Sequence, residues 1–238
     1  MVLVHGTSAD KETWGLVEPT FAKRYTVWSY DRRGRGRSGN GTDYDFGVEV
    51  DDVRAVVAAA GTDTHLVGHS FGACCALEAA ALGCPLASLV LYEAPFHEGR
   101  RAEQIQRALD CLDAGDHEAA LLVFLPEVVG VSEDEVTMLR GLPEVWARIV
   151  AAAPTIGREM TALAKLGWDP TRYGAIDVPT LYITGELTSS PVYLSRDELL
   201  AGVPHASHTV LSEQRHLANG TAPTAFAEAV IKFTTKSH

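Results

Sequence analysis

Short runs of apolar, largely β-branched residues recur along the chain and alternate with stretches of helical period. The apolar runs are 2–4 (VLV), 25–30 (YTVWSY), 64–68 (THLVG), 88–92 (SLVLY), 179–184 (PTLYIT) and 207–211 (SHTVL). They are near-continuous rather than alternating, the pattern of strands covered on both faces. Helices are predicted between them over about 13–23, 45–60, 71–82, 192–201 and 221–235. Alternation of this kind builds a mostly parallel sheet flanked by helices, an α/β fold.

One interval breaks the rhythm. Residues 97–175 hold no strand-like run and read as helices near 99–113, 116–124, 132–140 and 143–166, punctuated by Gly115, Pro126, Gly130, Gly141 and Pro143. Apolar residues such as Leu109, Leu121, Phe124, Met138 and Trp146 are interleaved there with Arg, Asp and Glu. A single crossover between parallel strands needs far fewer residues. The interval is therefore predicted to be a helical cap inserted into a core made of residues 1–96 and 176–238. Internal repeats and low-complexity tracts are lacking.

Composition narrows the partners. The 238 residues suit one core with an insertion. With 20 basic and 31 acidic residues the formal net charge is −11, which argues against nucleic acid or an anionic membrane as partner. No apolar run is long enough to span a bilayer, and "MVLVHG" lacks the basic start of a secretory signal. The four cysteines (Cys74, Cys75, Cys84, Cys111) follow neither a disulfide framework nor a C-x-x-C metal pattern, and read as free thiols of a reducing compartment. The expectation is a cytoplasmic protein that binds neither nucleic acid nor membrane, with a homodimer possible.

Gly68-His69-Ser70-Phe71-Gly72 carries the candidate chemistry. It sits between a strand signal and an alanine-rich helix signal. A serine on a tight strand-to-helix turn needs small residues two positions away on either side, and the turn lifts Oγ toward the helix N-terminus, where developing negative charge is favoured. The bland alternative is a serine that merely caps the helix. His5-Gly6-Thr7 follows the first strand, so the Thr7 N–H can serve as one oxyanion donor and the Phe71 N–H as the other; a plain glycine turn is the competing reading.

The chain has nine histidines, so a base must be chosen. His69 adjoins Ser70, but neighbours on a sharp turn point apart, and it is expected to be packed or hydrogen-bonded nearby. His205 and His208 lie before or within the last strand. His216 follows that strand in "LSEQRHLANG", at the sheet edge where Ser70 also sits, and is chosen as the base. The stretch "DRRGRGRSG" (31–39) mimics a dinucleotide fingerprint in Gly34, Gly36 and Gly39. The loop runs on past the third glycine and no acidic second strand follows, so no cofactor is assigned to it. Its arginines could form an RNA-binding or targeting patch; in an acidic chain they read instead as ties to carboxylates.

Taken together, His5-Gly6 after a strand with Trp14 beyond it, "DRRGRGRS" after the next strand, "GHSFG", a helical insert and a late histidine resemble the α/β-hydrolase superfamily, in that superfamily's order. The resemblance covers nearly the whole chain. It implies a serine–acid–histidine hydrolase without metal or organic cofactor, acting through an acyl-enzyme on a small ester, thioester or lactone. A C–C bond hydrolase or lyase using the same triad, and a non-catalytic ligand receptor, are the alternatives.

Two departures stand out. The chain opens on the HG strand, where relatives carry a strand pair before it, so a sheet of about six strands is expected. Relatives also commonly place Asp a few residues after the strand that follows the cap, where "GELTSSP" (185–191) offers Thr188 and Ser189 instead. The acid is then Glu93, at the tip of the strand in "LYEAP", or Glu186. A glutamate at a buried strand tip needs a reason, and orienting His216 supplies one.

Overall fold

The computed structural model describes residues 1–96 and 99–236. It contains one sheet of six strands: β1 (Val2–Val4), β2 (Trp28–Ser29), β3 (His65–His69), β4 (Ser88–Tyr92), β5 (Thr180–Gly185) and β6 (Ser207–Leu211). Their spatial order is β2-β1-β3-β4-β5-β6, and every neighbouring pair is parallel. The chain therefore builds outward from β1 in one direction and then, from β3 onward, in the other. The carboxyl ends of β1 and β3 flank that reversal, where open α/β sheets place their ligands.

Side chains alternate across the sheet as strand geometry requires. Val2, Val4, Leu66, Leu89 and Leu91 enter one apolar core, whereas Leu3, Val67, Val90 and Ile183 enter the other. The first core holds α1 (Phe46–Ala60) and α2 (Phe71–Ala81); the second receives Trp14, Phe21 and, from the last long helix, Phe226 and Val230. Alanine, glycine and cysteine make up most of α2, and its residues up to Ala80 are buried. α1 starts where the Asp45 carboxylate accepts from Val48 N at 2.9 Å.

Between β4 and β5 the described residues form a run of helices, α3 (Ala102–Asp113), α4 (His117–Val123), α5 (Glu133–Arg140), α6 (Pro143–Ala152) and α7 (Ile156–Leu166), then a short 3-10 turn at Pro170–Tyr173. Position 97, the expected first residue of this segment, lies outside the described residues. After β5 come α8 (Arg196–Gly202) and, after β6, α9 (Pro223–Thr234).

The differences from the expected elements have local causes. The helix expected over 143–166 is broken by a 3-10 turn at Ala153–Thr155, because Pro154 cannot donate to the ladder. The one expected over 116–124 runs on into a π-helical segment, Phe124–Val129, that contains Pro126. The helix expected over 13–23 is only a 3-10 turn at Lys11–Trp14 and one α-turn at Glu18–Phe21, divided by Gly15 and restarted at Pro19. α9 likewise restarts at Pro223, after a single turn at Ala218–Thr221. The strand expected over 25–30 pairs only at Trp28–Ser29, since its one neighbour, β1, is three residues long.

The arginine-rich loop after β2 is a structural tie. Arg32, fully buried, grips Glu49 of α1 through Nε and Nη2 at 3.1 and 2.9 Å and reaches Glu159 of α7 at 2.5 Å. Its Nη1 also donates to the carbonyls of His5 and Gly6 at 3.3 and 3.1 Å. Arg35 meets Glu159 and Thr155, and Arg33 forks onto Asp52. One cluster thus joins the end of β1, α1 and the helical segment. No helix opens at Gly39, because α1 begins seven residues later at Phe46, so the glycine-rich stretch does not form a dinucleotide turn. All four cysteines are free thiols, and among the described residues no helix is long and apolar enough to cross a membrane.

Candidate active site

Ser70 stands between β3 and α2 with φ 56° and ψ −127°, outside the usual regions for a residue with a side chain. Its N–H donates to Tyr92 O at 2.8 Å, which ties the turn to β4. The flanking glycines are required by close approach. A Cβ at Gly72 would lie 2.5 Å from the His5 carbonyl oxygen and closer still to that of Val4. Gly6 lets the end of β1 reach the serine itself, since a Cβ there would lie 2.8 Å from Ser70 Cβ.

The structure brings His216 and Glu93 together. His216 Nδ1 lies 2.6 Å from Glu93 Oε2, with both side chains buried. A carboxylate oxygen only accepts, so Nδ1 carries the proton and Nε2 keeps its lone pair. The other Glu93 oxygen accepts from Gly185 N at 2.7 Å and Thr188 Oγ1 at 2.6 Å. Glu93 itself has φ 48°, a left-handed conformation uncommon for a non-glycine residue. Thr188 stands in the slot where the sequence was expected to offer an acid, and there it donates to the Glu93 carboxylate from the end of the neighbouring strand.

The loop carrying His216 is clamped at several points. Tyr92 OH donates to Arg215 O and accepts from Ala218 N at 3.1 Å, which grips the chain on both sides of the histidine. His69 Nε2 lies 2.9 Å from His216 O, so it is the donor, and the ring stacks on Tyr92 at 4.9 Å. Burial holds the His69 pKa well below the usual imidazole value, with the nearby His216 adding to the effect. The Tyr193 ring stacks on His216 at 4.4 Å and an interplanar angle of 19°. Sequence reasoning missed Tyr92, Tyr193 and Thr188. Their roles arise from strand ends and loops that meet only in space, and the one visible hint is that Tyr92 precedes Glu93.

The remaining candidates lie elsewhere or serve as scaffold. Glu186 is exposed and accepts from Ser212 Oγ and Glu213 N, each at 2.8 Å. His208 pairs with Thr184 Oγ1 at 2.9 Å and His205 with Val178 O at 2.9 Å, both away from Ser70. His5 is buried and fully committed: Nδ1 faces Gly6 O at 2.9 Å and Nε2 accepts from Arg32 N at 3.0 Å. The backbone N–H groups of Thr7 and Phe71 donate to no protein acceptor among the described residues.

Ser70 and His216 open onto one cavity of about 520 Å³. No hydrogen bond joins them among the described residues. Thr7 and His69 line the cavity floor, and the π-helical segment contributes Phe124, Leu125, Val128 and Val129 to the wall. That segment is held to the post-β5 loop by Ser190 Oγ donating to Val128 O at 2.5 Å and Tyr193 OH to Val129 O at 2.9 Å. The loop of residues 186–195 therefore supports the acid, stacks on the histidine and anchors the cavity wall. Among the described residues no group of three or more His, Cys, Asp or Glu side chains is placed to hold a metal ion.

A parallel sheet with a strained serine at the β3–α2 turn and a buried histidine–carboxylate pair defines an α/β-hydrolase-type fold. The chain belongs to the alpha/beta hydrolase family, whose model matches residues 1–229. An alpha/beta hydrolase from Sphaerobacter thermophilus is similar in structure, with 30% sequence identity, a TM-score of 0.82, and 98% of this chain and 91% of that chain covered. The enol-lactonase of Burkholderia xenovorans shares the fold at 19% identity and a TM-score of 0.80, with 98% and 90% covered. The N-formylmaleamate deformylase of Pseudomonas putida is 42% identical over 107 residues, a match that spans 43% of this chain and 40% of that protein.

Proposed function

We propose that this protein is a serine hydrolase acting on a small carboxylic ester, thioester or lactone through Ser70, His216 and Glu93. The observation that carries the reading is the buried Glu93–His216 pair at 2.6 Å, on the same cavity floor as a serine in a nucleophile-elbow conformation. Glu93 holds the proton on Nδ1, which leaves Nε2 as the base. As substrate enters, His216 removes the Ser70 proton and Oγ attacks the acyl carbon. Contacts of this kind are commonly loose in the empty enzyme and tighten in the complex. The free N–H groups of Thr7 and Phe71 receive the oxyanion. His216 then protonates the leaving group, and water resolves the acyl-enzyme by the same path.

The helices between β4 and β5 act as the cap, with the π-helical segment as the wall that sets substrate size. A cytoplasmic setting agrees with the four free thiols. The test is turnover of p-nitrophenyl butyrate by wild type and Ser70→Ala, with labelling of Ser70 by a fluorophosphonate. Loss of at least about a thousandfold in kcat, with labelling confined to wild type, is expected. Undiminished turnover by Ser70→Ala would overturn the assignment. A folded wild type that neither labels nor turns over ester would point to a ligand receptor.

A further inference from the structure

A buried polar side chain without a hydrogen-bond partner calls for a reason. Ser8 Oγ and Asn219 Oδ1 are two such atoms, and both residues line the cavity onto which Ser70 and His216 open. Ser8 is 4% exposed and Asn219 2%. Trp14 Nε1 and His69 Nδ1 also lack partners, but they are a donor and an acceptor on neighbouring rings, 6.2 Å between centroids, and complement each other. The other such atoms, on Tyr30, Arg35, Arg158 and Glu159, belong to residues outside the lining.

The polarity of the two atoms is fixed. Asn219 Nδ2 lies 3.1 Å from Thr13 O, which only accepts, so the amide is held with Oδ1 as a pure acceptor. Ser8 Oγ is a hydroxyl and both donates and accepts. No hydrogen bond joins the two among the described residues. Together they offer one acceptor and one donor to a single visiting group. Neither is charged, so that group needs no charge of its own.

Their places in the chain set which end of a substrate they meet. Ser8 follows Thr7, whose N–H is assigned to the oxyanion. Asn219 is three residues beyond His216, in the single turn Ala218–Thr221 whose first N–H the Tyr92 hydroxyl holds. His216 delivers its proton to the leaving group, so that group lies on the histidine side of Ser70.

We propose that Ser8 and Asn219 form a subsite for a hydroxyl on the leaving alcohol, and that the preferred substrate is the carboxylic ester of a short neutral diol or triol. The hydroxyl donates to Asn219 Oδ1 and accepts from Ser8 Oγ. An ether oxygen in its place satisfies Ser8 alone, and a methyl group satisfies neither. The inference rests on the hydrolase reading for its placement of the leaving group. In that reaction the bond from Ser70 Oγ to the acyl carbon forms and the ester C–O bond breaks. His216 gives its proton to the departing oxygen, so the alcohol leaves with every hydroxyl intact, and water then releases the acid and restores Ser70.

Binding tests the subsite without turnover. NMR titration of wild type would compare N-(2-hydroxyethyl)butanamide with N-(2-methoxyethyl)butanamide and N-propylbutanamide, stable amides that differ at the end of one chain. The hydroxyl compound is expected to bind at least about tenfold more tightly than the propyl compound, which leaves both buried atoms unpaired, and at least about threefold more tightly than the methoxy compound. Ser8→Ala removes a hydroxyl that bonds nothing in the protein and should shrink the hydroxyl-over-propyl ratio about fivefold. Asn219→Ala should shrink it as well, with thermal unfolding as the control for the lost tie to Thr13. Equal affinity for the hydroxyl and propyl compounds, or a ratio that survives in folded Ser8→Ala, would overturn the inference. The matching esters separate the two readings. Turnover that needs Ser70 but is equal for 2-hydroxyethyl and propyl butyrate keeps the hydrolase assignment and overturns this one. Hydroxyl-selective binding that Ser8→Ala abolishes, in a protein that neither turns over ester nor labels with fluorophosphonate, sinks the hydrolase assignment and keeps the hydroxyl subsite.

Discussion

Replacing Glu93 by glutamine changes one oxygen for an NH2 group, and the surroundings dictate where that group goes. Glu93 Oε1 faces two donors, Gly185 N at 2.7 Å and Thr188 Oγ1 at 2.6 Å. The backbone N–H of Gly185 cannot turn away. Thr188 could turn its hydroxyl and accept, but an amide NH2 placed there would be opposed by the Gly185 N–H, at about 1–3 kcal/mol for each unsatisfied group. The NH2 group therefore takes the other position and faces His216 Nδ1, 2.6 Å from Oε2 in the native protein. It can only donate, so Nδ1 must accept, and the imidazole proton moves to Nε2. A histidine protonated at Nε2 cannot take the Ser70 proton.

On the proposed roles, the expected result is a fall in kcat of about 10³–10⁴, the scale seen when the acid of a serine-hydrolase triad is made an amide. That corresponds to about 4–5.5 kcal/mol of transition-state stabilisation. The assay is kcat on p-nitrophenyl butyrate, with thermal unfolding as a control that the variant is folded. Glu186→Gln serves as comparison and should stay within about twofold of wild type, because Glu186 is exposed and bonded only to Ser212 and Glu213. A Glu93→Gln enzyme within tenfold of wild type, or a large loss confined to Glu186→Gln, would refute the reasoning.

Three further outcomes follow from the same geometry. Tyr92→Phe removes the hydroxyl that holds Arg215 O and Ala218 N on either side of His216; kcat should drop about tenfold with little change in KM, measured on the same ester. Glu159→Ala removes one of the two buried carboxylates, Glu159 and Glu49, that Arg32 and Arg35 share, and should destabilise the fold by about 3–5 kcal/mol in urea unfolding, whereas Arg33→Ala, in a partly exposed pair with Asp52, should cost under about 1 kcal/mol. His5 and His69 are both held neutral by burial, with pKa values well below the usual 6.5. Below pH 6.5 the unfolded chain takes up protons that the folded chain refuses, so stability falls as pH falls, by up to about 2.7 kcal/mol per pH unit for the two together. Denaturant midpoints that stay level between pH 7 and 5.5 would contradict this.

The elements along the chain were legible because burial on both faces leaves an apolar signature that needs no partner to be read. β1, β3, β4, β5 and β6 fall where VLV, THLVG, SLVLY, PTLYIT and SHTVL predict them, to within a residue or two. The helices between β4 and β5 were legible from the length of that interval and its lack of strand-like runs, and their ends from glycine and proline. Pro126 was visible as punctuation, but its result, a π-helical wall over the cavity, depends on Ser190 and Tyr193 holding Val128 and Val129 from another part of the chain. Ser70 was marked by local constraint, since the glycines around a strained turn are neighbours in sequence.

By itself, then, the sequence determined the parallel sheet, the helices between β4 and β5 and the serine turn, all of which rest on short-range sterics and burial. It also narrowed the candidate partner of the histidine to Glu93 or Glu186. Only the tertiary structure placed one of them against the histidine, because a carboxylate is recognised by the donors around it. For Glu93 those donors come from β5, the loop beyond it and the segment after β6: Gly185, Thr188 and His216. Residues so far apart along the chain exert no pattern on one another until the sheet brings their strand ends to a single edge.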